Sequence, residues 1–226
     1  MTFADKIIQF NGHLSYNHSL PMGFEVVNPF VLNPETLQIS EAFYHKYYND
    51  HQSRKLILGI NPSRNGAGVT GIPFTDTKRL ESECGIVMKS VHSHEVSSVF
   101  VYDMINAYGG PVQFYKNYFI TSAFPLAIVQ KNNKNEWVNA NYYDDNSLFD
   151  YVKPFMITSL KTQIDFGLDV NEIYVLGKKN AQFISKLNKE ASLFDRLTIL
   201  EHPRYIQQYK TKQKQIYIEK YLSILA

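Results

Sequence analysis

Four short runs of the chain are almost continuously apolar: Lys55-Leu56-Ile57-Leu58-Gly59, Tyr118-Phe119-Ile120-Thr121-Ser122, Glu172-Ile173-Tyr174-Val175-Leu176-Gly177 and Arg196-Leu197-Thr198-Ile199-Leu200. None alternates strictly between apolar and polar positions. Leucine and β-branched residues in unbroken sequence suit strands covered on both faces. Helical candidates lie between and around them: Pro34–Tyr48, Ser97–Tyr108, Leu148–Phe166, Asn180–Lys189 and Lys210–Leu225. Gly109-Gly110-Pro111 should end the second of these. Asp144-Asp145, after Asn141-Tyr142-Tyr143, reads as a turn leading into a helix cap. Alternating strands and helices predict an α/β fold, a three-layer α/β/α sandwich on a central four-stranded parallel sheet with right-handed crossovers. No repeat, low-complexity tract or Pro/Gly-rich linker divides the chain, so residues 1–226 are expected to form one domain.

In such sheets, ligands bind beyond the carboxyl ends of the strands. The first run is followed by Gly59-Ile60-Asn61-Pro62-Ser63-Arg64-Asn65-Gly66-Ala67-Gly68-Val69-Thr70-Gly71-Ile72-Pro73-Phe74. Its glycines and prolines permit sharp turns and close approach of a ligand to the backbone. It has neither G-x-G-x-x-G nor G-x-x-x-x-G-K-[ST], which argues against a phosphate-cradling nucleotide site. Asn61 stands just past the strand end, where its amide can accept from and donate to one water. The fourth run is followed by Glu201-His202-Pro203-Arg204, which places a histidine able to face the same crevice.

Composition narrows the chemistry. Hydrophobic residues at 44% and charged residues at 19% describe an ordinary globular chain. A formal charge of +2 says little about nucleic acid, although Arg204, Lys210, Lys212, Lys214 and Lys220 make the last part locally basic. One cysteine, Cys84, excludes an internal disulfide and any cysteine-built metal or iron–sulfur cluster. His92-Ser93-His94-Glu95 offers ligand types, but no third cluster at suitable spacing joins it, so neither metal nor cofactor is expected. The first residues lack the basic start and apolar run of a secretory signal, and no window is apolar enough to span a bilayer. A cytoplasmic protein is expected.

The Gly59–Phe74 loop resembles the first motif of the uracil-DNA glycosylase superfamily. It is most similar to the single-strand-selective monofunctional (SMUG) branch, whose G-x-N-P…T-G-[VI]-P-F pattern is met by Gly59, Asn61, Pro62, Thr70, Gly71, Ile72, Pro73 and Phe74. His202-Pro203 resembles the start of the second motif, and Phe119–Leu126 and Val175-Leu176-Gly177 resemble the second and third strand segments. Arg204-Tyr205 after His-Pro is similar to the second, bacterial group of SMUG-like enzymes. The resemblance implies a metal-free, cofactor-free glycosylase that cuts the N-glycosidic bond of uracil or a related damaged base in DNA and leaves an abasic site. It implies that Asn61 positions the water and His202 donates to the departing pyrimidine. Gly59, Ile60, Pro62, Gly71, Phe74 and Ser122 would surround the base, with Phe74 stacking on it. Arg204, Tyr205, Ile206 and Gln207 would engage the DNA, single- or double-stranded, and the protein would act as a monomer. Vertebrate SMUG enzymes carry an asparagine where this chain has Ser122. A hydroxyl reads fewer groups than an amide, which leaves uracil, an oxidised uracil and a deaminated purine such as xanthine open as substrates. Two other readings stand beside this one: a catalytically silent binder of altered nucleic acid or free base, and a small-nucleotide enzyme using the Gly-rich loop.

Overall fold

A computed structural model describes residues 1–226, the side chain of Asn146 excepted. The strands are β1 (Phe24–Val27), β2 (Arg54–Gly59), β3 (Tyr118–Ser122), β4 (Ala127–Lys131), β5 (Trp137–Ala140), β6 (Leu168–Leu176) and β7 (Arg196–Leu200). The helices are α1 (Phe3–His13), α2 (Pro29–Leu32), α3 (Pro34–Tyr48), α4 (Ala67–Thr70), α5 (Thr77–Cys84), α6 (Val96–Tyr108), α7 (Pro111–Asn117), α8 (Asn146–Ile164), α9 (Lys178–Ala191), α10 (Pro203–Tyr209) and α11 (Lys214–Leu225).

The four apolar runs form one parallel sheet in the order β3-β2-β6-β7. Consecutive residues are buried in β2, β3 and the second half of β6, Leu56 to Leu58 and Ile173 to Leu176 among them, as they must be when helices cover both faces; β7, at the sheet edge, departs from that expectation, with Ile199 exposed and only Leu200 fully buried. The chain leaves β2 toward β3 on one side and reaches β6 on the other, so the topological switch lies between β2 and β6. There the segments after neighbouring strands part and leave a crevice. The short strands β1, β4 and β5 make a second, antiparallel sheet.

Local signals explain most element ends. Asn33 caps α3 by accepting from Glu35 N, with Pro34 in the first turn. Gly109 ends α6 in the left-handed conformation. Asp145 caps α8, accepting from Ser147 N and Leu148 N. The helix expected over Lys210–Leu225 is shorter: α10 closes on Lys210, a 3₁₀ turn spans Thr211–Gln213, and α11 begins at Lys214.

The many aromatic residues are spent largely on the core. Phe3, Phe43, Tyr48, Tyr115 and Phe119 pack ring against ring beneath the sheet. Arg54 is buried among them at 1% exposure. Its guanidinium meets both Asp50 carboxylate oxygens at 2.8 Å, donates to Tyr115 O at 2.8 Å, and lies over the rings of Phe3 and Tyr48. A buried cation needs that many partners to offset its lost hydration. No helix among the described residues is long and apolar enough to cross a membrane.

Candidate active site

Beyond the carboxyl ends of β2 and β7 lies a cleft of about 270 Å³. Asn61, Phe74 and His202 share its wall, far apart in sequence but brought together by the sheet order.

Asn61 is anchored by backbone on both sides of its amide. Nδ2 donates to Ala140 O at 3.0 Å and more weakly to Pro62 O at 3.4 Å, while Oδ1 accepts from Tyr142 N at 3.3 Å. These partners fix which end is oxygen. They also revise the expectation that the amide both accepts from and donates to a water: the N–H groups are engaged, and the free lone pair of Oδ1 is what remains. Tyr142 is itself fully buried, and its hydroxyl donates to Asn180 Oδ1 at 2.5 Å. Asn180 Nδ2 in turn spans Leu58 O and Leu176 O, at the ends of β2 and β6.

Phe74 sits at φ 53°, the left-handed region that a bulky side chain rarely occupies. Such strain persists where the surroundings impose it, typically around functional sites. Gly59 makes its ring position possible, since a Cβ there would come within 3.1 Å of Phe74 Cε2. The ring lies 5.9 Å from the His202 imidazole, tilted by 53°.

His202 caps α10, with Nδ1 accepting from Arg204 N at 3.2 Å. An accepting Nδ1 puts the proton on Nε2, so the imidazole offers an N–H donor. Burial, assisted by the Arg204 charge, pulls its pKa down to about 4, so the ring is neutral at physiological pH. Gly177, just past β6 at φ 96°, leaves its Cβ position in ordinary contact with the imidazole side chain.

Of the remaining expected site residues, Ile60, Pro62, Arg204 and Tyr205 line the cleft. Gly59 seats the Phe74 ring without lining the cleft. Ser122 and Gly71 line a different cavity of about 30 Å³, together with Pro62, Pro73 and Gln163. Ser122 ends β3 as the register partner of Gly59 on β2, next to the residue that seats the Phe74 ring. Ile206 is fully buried, against the expectation that it engages DNA; Gln207 is half-buried and does not line the cleft. The wall also includes residues not expected there: Ser63, Glu95, Ser97, Asn139, Asn141, Tyr143, Gln208 and Tyr209.

Asn61, the Phe74 ring and a neutral His202 donor around one cleft match the needs of glycosidic bond cleavage. A model of the uracil DNA glycosylase superfamily matches residues 45–226. The chain belongs to the uracil-DNA glycosylase superfamily. A solved structure described as wild-type Pedobacter heparinus SMUG2 is similar to this superfamily member at 51% identity, covering 99% of this chain and 97% of that one, with a TM-score of 0.96. The SMUG-like bacterial branch and the four-stranded parallel sheet flanked by helices are therefore right as read. Comparison with curated proteins gave no match. As a member of this superfamily the chain is a DNA glycosylase.

Proposed function

We propose that this glycosylase excises uracil from DNA monofunctionally, with the whole chain acting as one domain and as a monomer. The observation that carries the reading is the trio around the cleft: an oriented amide oxygen, an aromatic ring carried on left-handed backbone and a neutral Nε2–H donor. A nucleotide turned out of the stack would place its base on Phe74, a contact worth about 1–3 kcal/mol in comparable sites. Asn61 Oδ1 accepts from a water and aims it at C1′ of the sugar. An amide takes no proton, so Asn61 contributes orientation. As the N1–C1′ bond opens, negative charge grows on the pyrimidine and His202 donates to its O2. A neutral imidazole suits this role because it gives a hydrogen bond without giving up its proton.

Arg204 and Tyr205, both exposed at the cleft, are the DNA contacts this reading favours. No lysine lines the cleft among the described residues, which supports hydrolysis without a Schiff base and without strand cleavage. The buried lone cysteine suits a reducing compartment such as the cytoplasm.

Single- and double-stranded uracil oligonucleotides, incubated with the protein and then treated with alkali, test the reading. Breaks at the uracil position are expected, falling about 100- to 1,000-fold for His202→Ala, as when an oxyanion donor is removed, and steeply for Asn61→Ala. Breaks no more frequent with the wild type than with these variants would sink it.

A further inference from the structure

The attacking water must shed a proton, and neither Asn61 nor His202 has a place for it. The amide is not a base, and His202 Nδ1 is already taken by Arg204 N. The other titratable side chains on the cleft wall are Tyr143, Arg204, Tyr205, Tyr209 and Glu95. Phenols and guanidinium groups keep their protons at neutral pH. Glu95 is the one carboxyl.

Its placement is built from two directions. Its backbone N–H donates to Asp76 Oδ2 at 2.7 Å. Asp76 is fully buried, caps α5 through Arg79 N and accepts from Ser98 Oγ at 2.8 Å. Because Asp76 closely follows Phe74, this bond ties Glu95 to the end of the motif loop. The side chain then crosses to the loop's beginning. A Cβ on Gly66 would lie 1.9 Å from Glu95 Oε2, so the carboxyl occupies space that only a glycine at that position leaves. It therefore rests on the turn that directly follows Asn61-Pro62, and Ser63 from that turn lines the cleft beside it.

We propose that Glu95 is a third catalytic residue, the base that takes the proton of the water held by Asn61. This rests on the glycosylase reading of the cleft. The water oxygen forms a bond to C1′ as the N1–C1′ bond breaks, and the bonding pair leaves with the base. The water proton passes to the Glu95 carboxylate, and from there to the departed base anion directly or through solvent. The groups facing Glu95 set its proton affinity. Burial raises it above the usual carboxylate range; the Ser97 and Ser63 hydroxyls hold it back; the Asp76 charge raises it further and the Arg204 charge lowers it. Arg79 and His94 act on it only at one remove, through Asp76. A raised carboxylate is better matched to accepting a proton near neutral pH than an exposed one.

Single-turnover release of uracil from an oligonucleotide, followed from pH 4 to 9, tests the assignment. Glu95→Gln keeps the shape of the side chain. It should lower the rate about 100-fold or more, flatten the acid limb above that of His202, and leave unchanged both the melting temperature and the binding of a strand carrying 2′-fluoro-deoxyuridine, which resists cleavage. Formate should restore part of the rate to Glu95→Gly. Wild-type rate and pH profile in Glu95→Gln would overturn the proposal, as would a loss that follows weakened binding of the fluorinated strand. A wild-type protein that binds the strand and releases no base would overturn the function on which it rests as well, which separates the two failures.

Discussion

His202 joins burial, a helix cap and the proposed donor in one ring, and its proton balance should be visible in stability. Its folded pKa of about 4 lies below the ordinary 6.5. Between these values the unfolded chain binds a proton that the native protein refuses, so this residue's contribution to stability is full above pH 6.5 and is lost as pH falls toward 4. The loss amounts to roughly 3 kcal/mol at most. Melting curves of the wild type and His202→Asn across pH 4 to 7 should converge toward the acid end; a constant gap would show that the imidazole is not held neutral. Gly66 gives a second residue-scale prediction. In Gly66→Ala the new Cβ meets only the flexible end of Glu95, so the fold should lose less than about 1 kcal/mol while base release slows markedly. In a Glu95→Gln background the alanine should cost far less rate than it does alone, because both changes act through one carboxyl. Asn61, Phe74 and His202 are readable in the sequence because each stands at a fixed place after a strand. Glu95 is not: its route to the cleft runs through Asp76 and through the missing side chain of Gly66, and neither spacing nor composition encodes that packing.

At the scale of elements, burial decides what could be read. The strands β2, β3 and the second half of β6 appear as apolar runs because both their faces are covered, whereas the edge strand β7 is apolar but only partly covered, with Ile199 exposed. The second sheet escapes notice because β1 and β5 are four residues each and only half-buried, too short and too mixed for either period to show. Yet this sheet supplies the site: Ala140 ends β5 and grips Asn61, with Tyr142 close behind. The grip is completed by Asn180 at the start of α9, so three elements from different parts of the chain fix one amide. Tyr142→Phe removes the hydroxyl and leaves Asn180 Oδ1 buried without that donor. A loss of about 1–3 kcal/mol is expected by chemical denaturation, with a fall in the rate of base release but little change in strand binding. An unchanged rate would show that Ala140 and Pro62 suffice to hold Asn61.

At the scale of the whole molecule, the proposed donor His202 caps the helix α10 that carries the proposed DNA contact Arg204. Arg204→Ala should weaken binding to an abasic oligonucleotide and reduce the slope of log affinity against log salt by about one. Thermal stability should be unaffected, since the side chain is exposed. A salt slope equal to that of the wild type would remove Arg204 from the phosphate contacts. The same residue has a second link inward, through its backbone. His202 Nδ1 is held by the Arg204 N–H, so the first turn of α10 and the imidazole cannot move independently. A free nucleoside small enough to enter the cleft has no backbone to press there, and a long strand does. On the proposed reading, a strand held at Arg204 orients the histidine, and isolated deoxyuridine should be turned over far more slowly than the same base within an oligonucleotide.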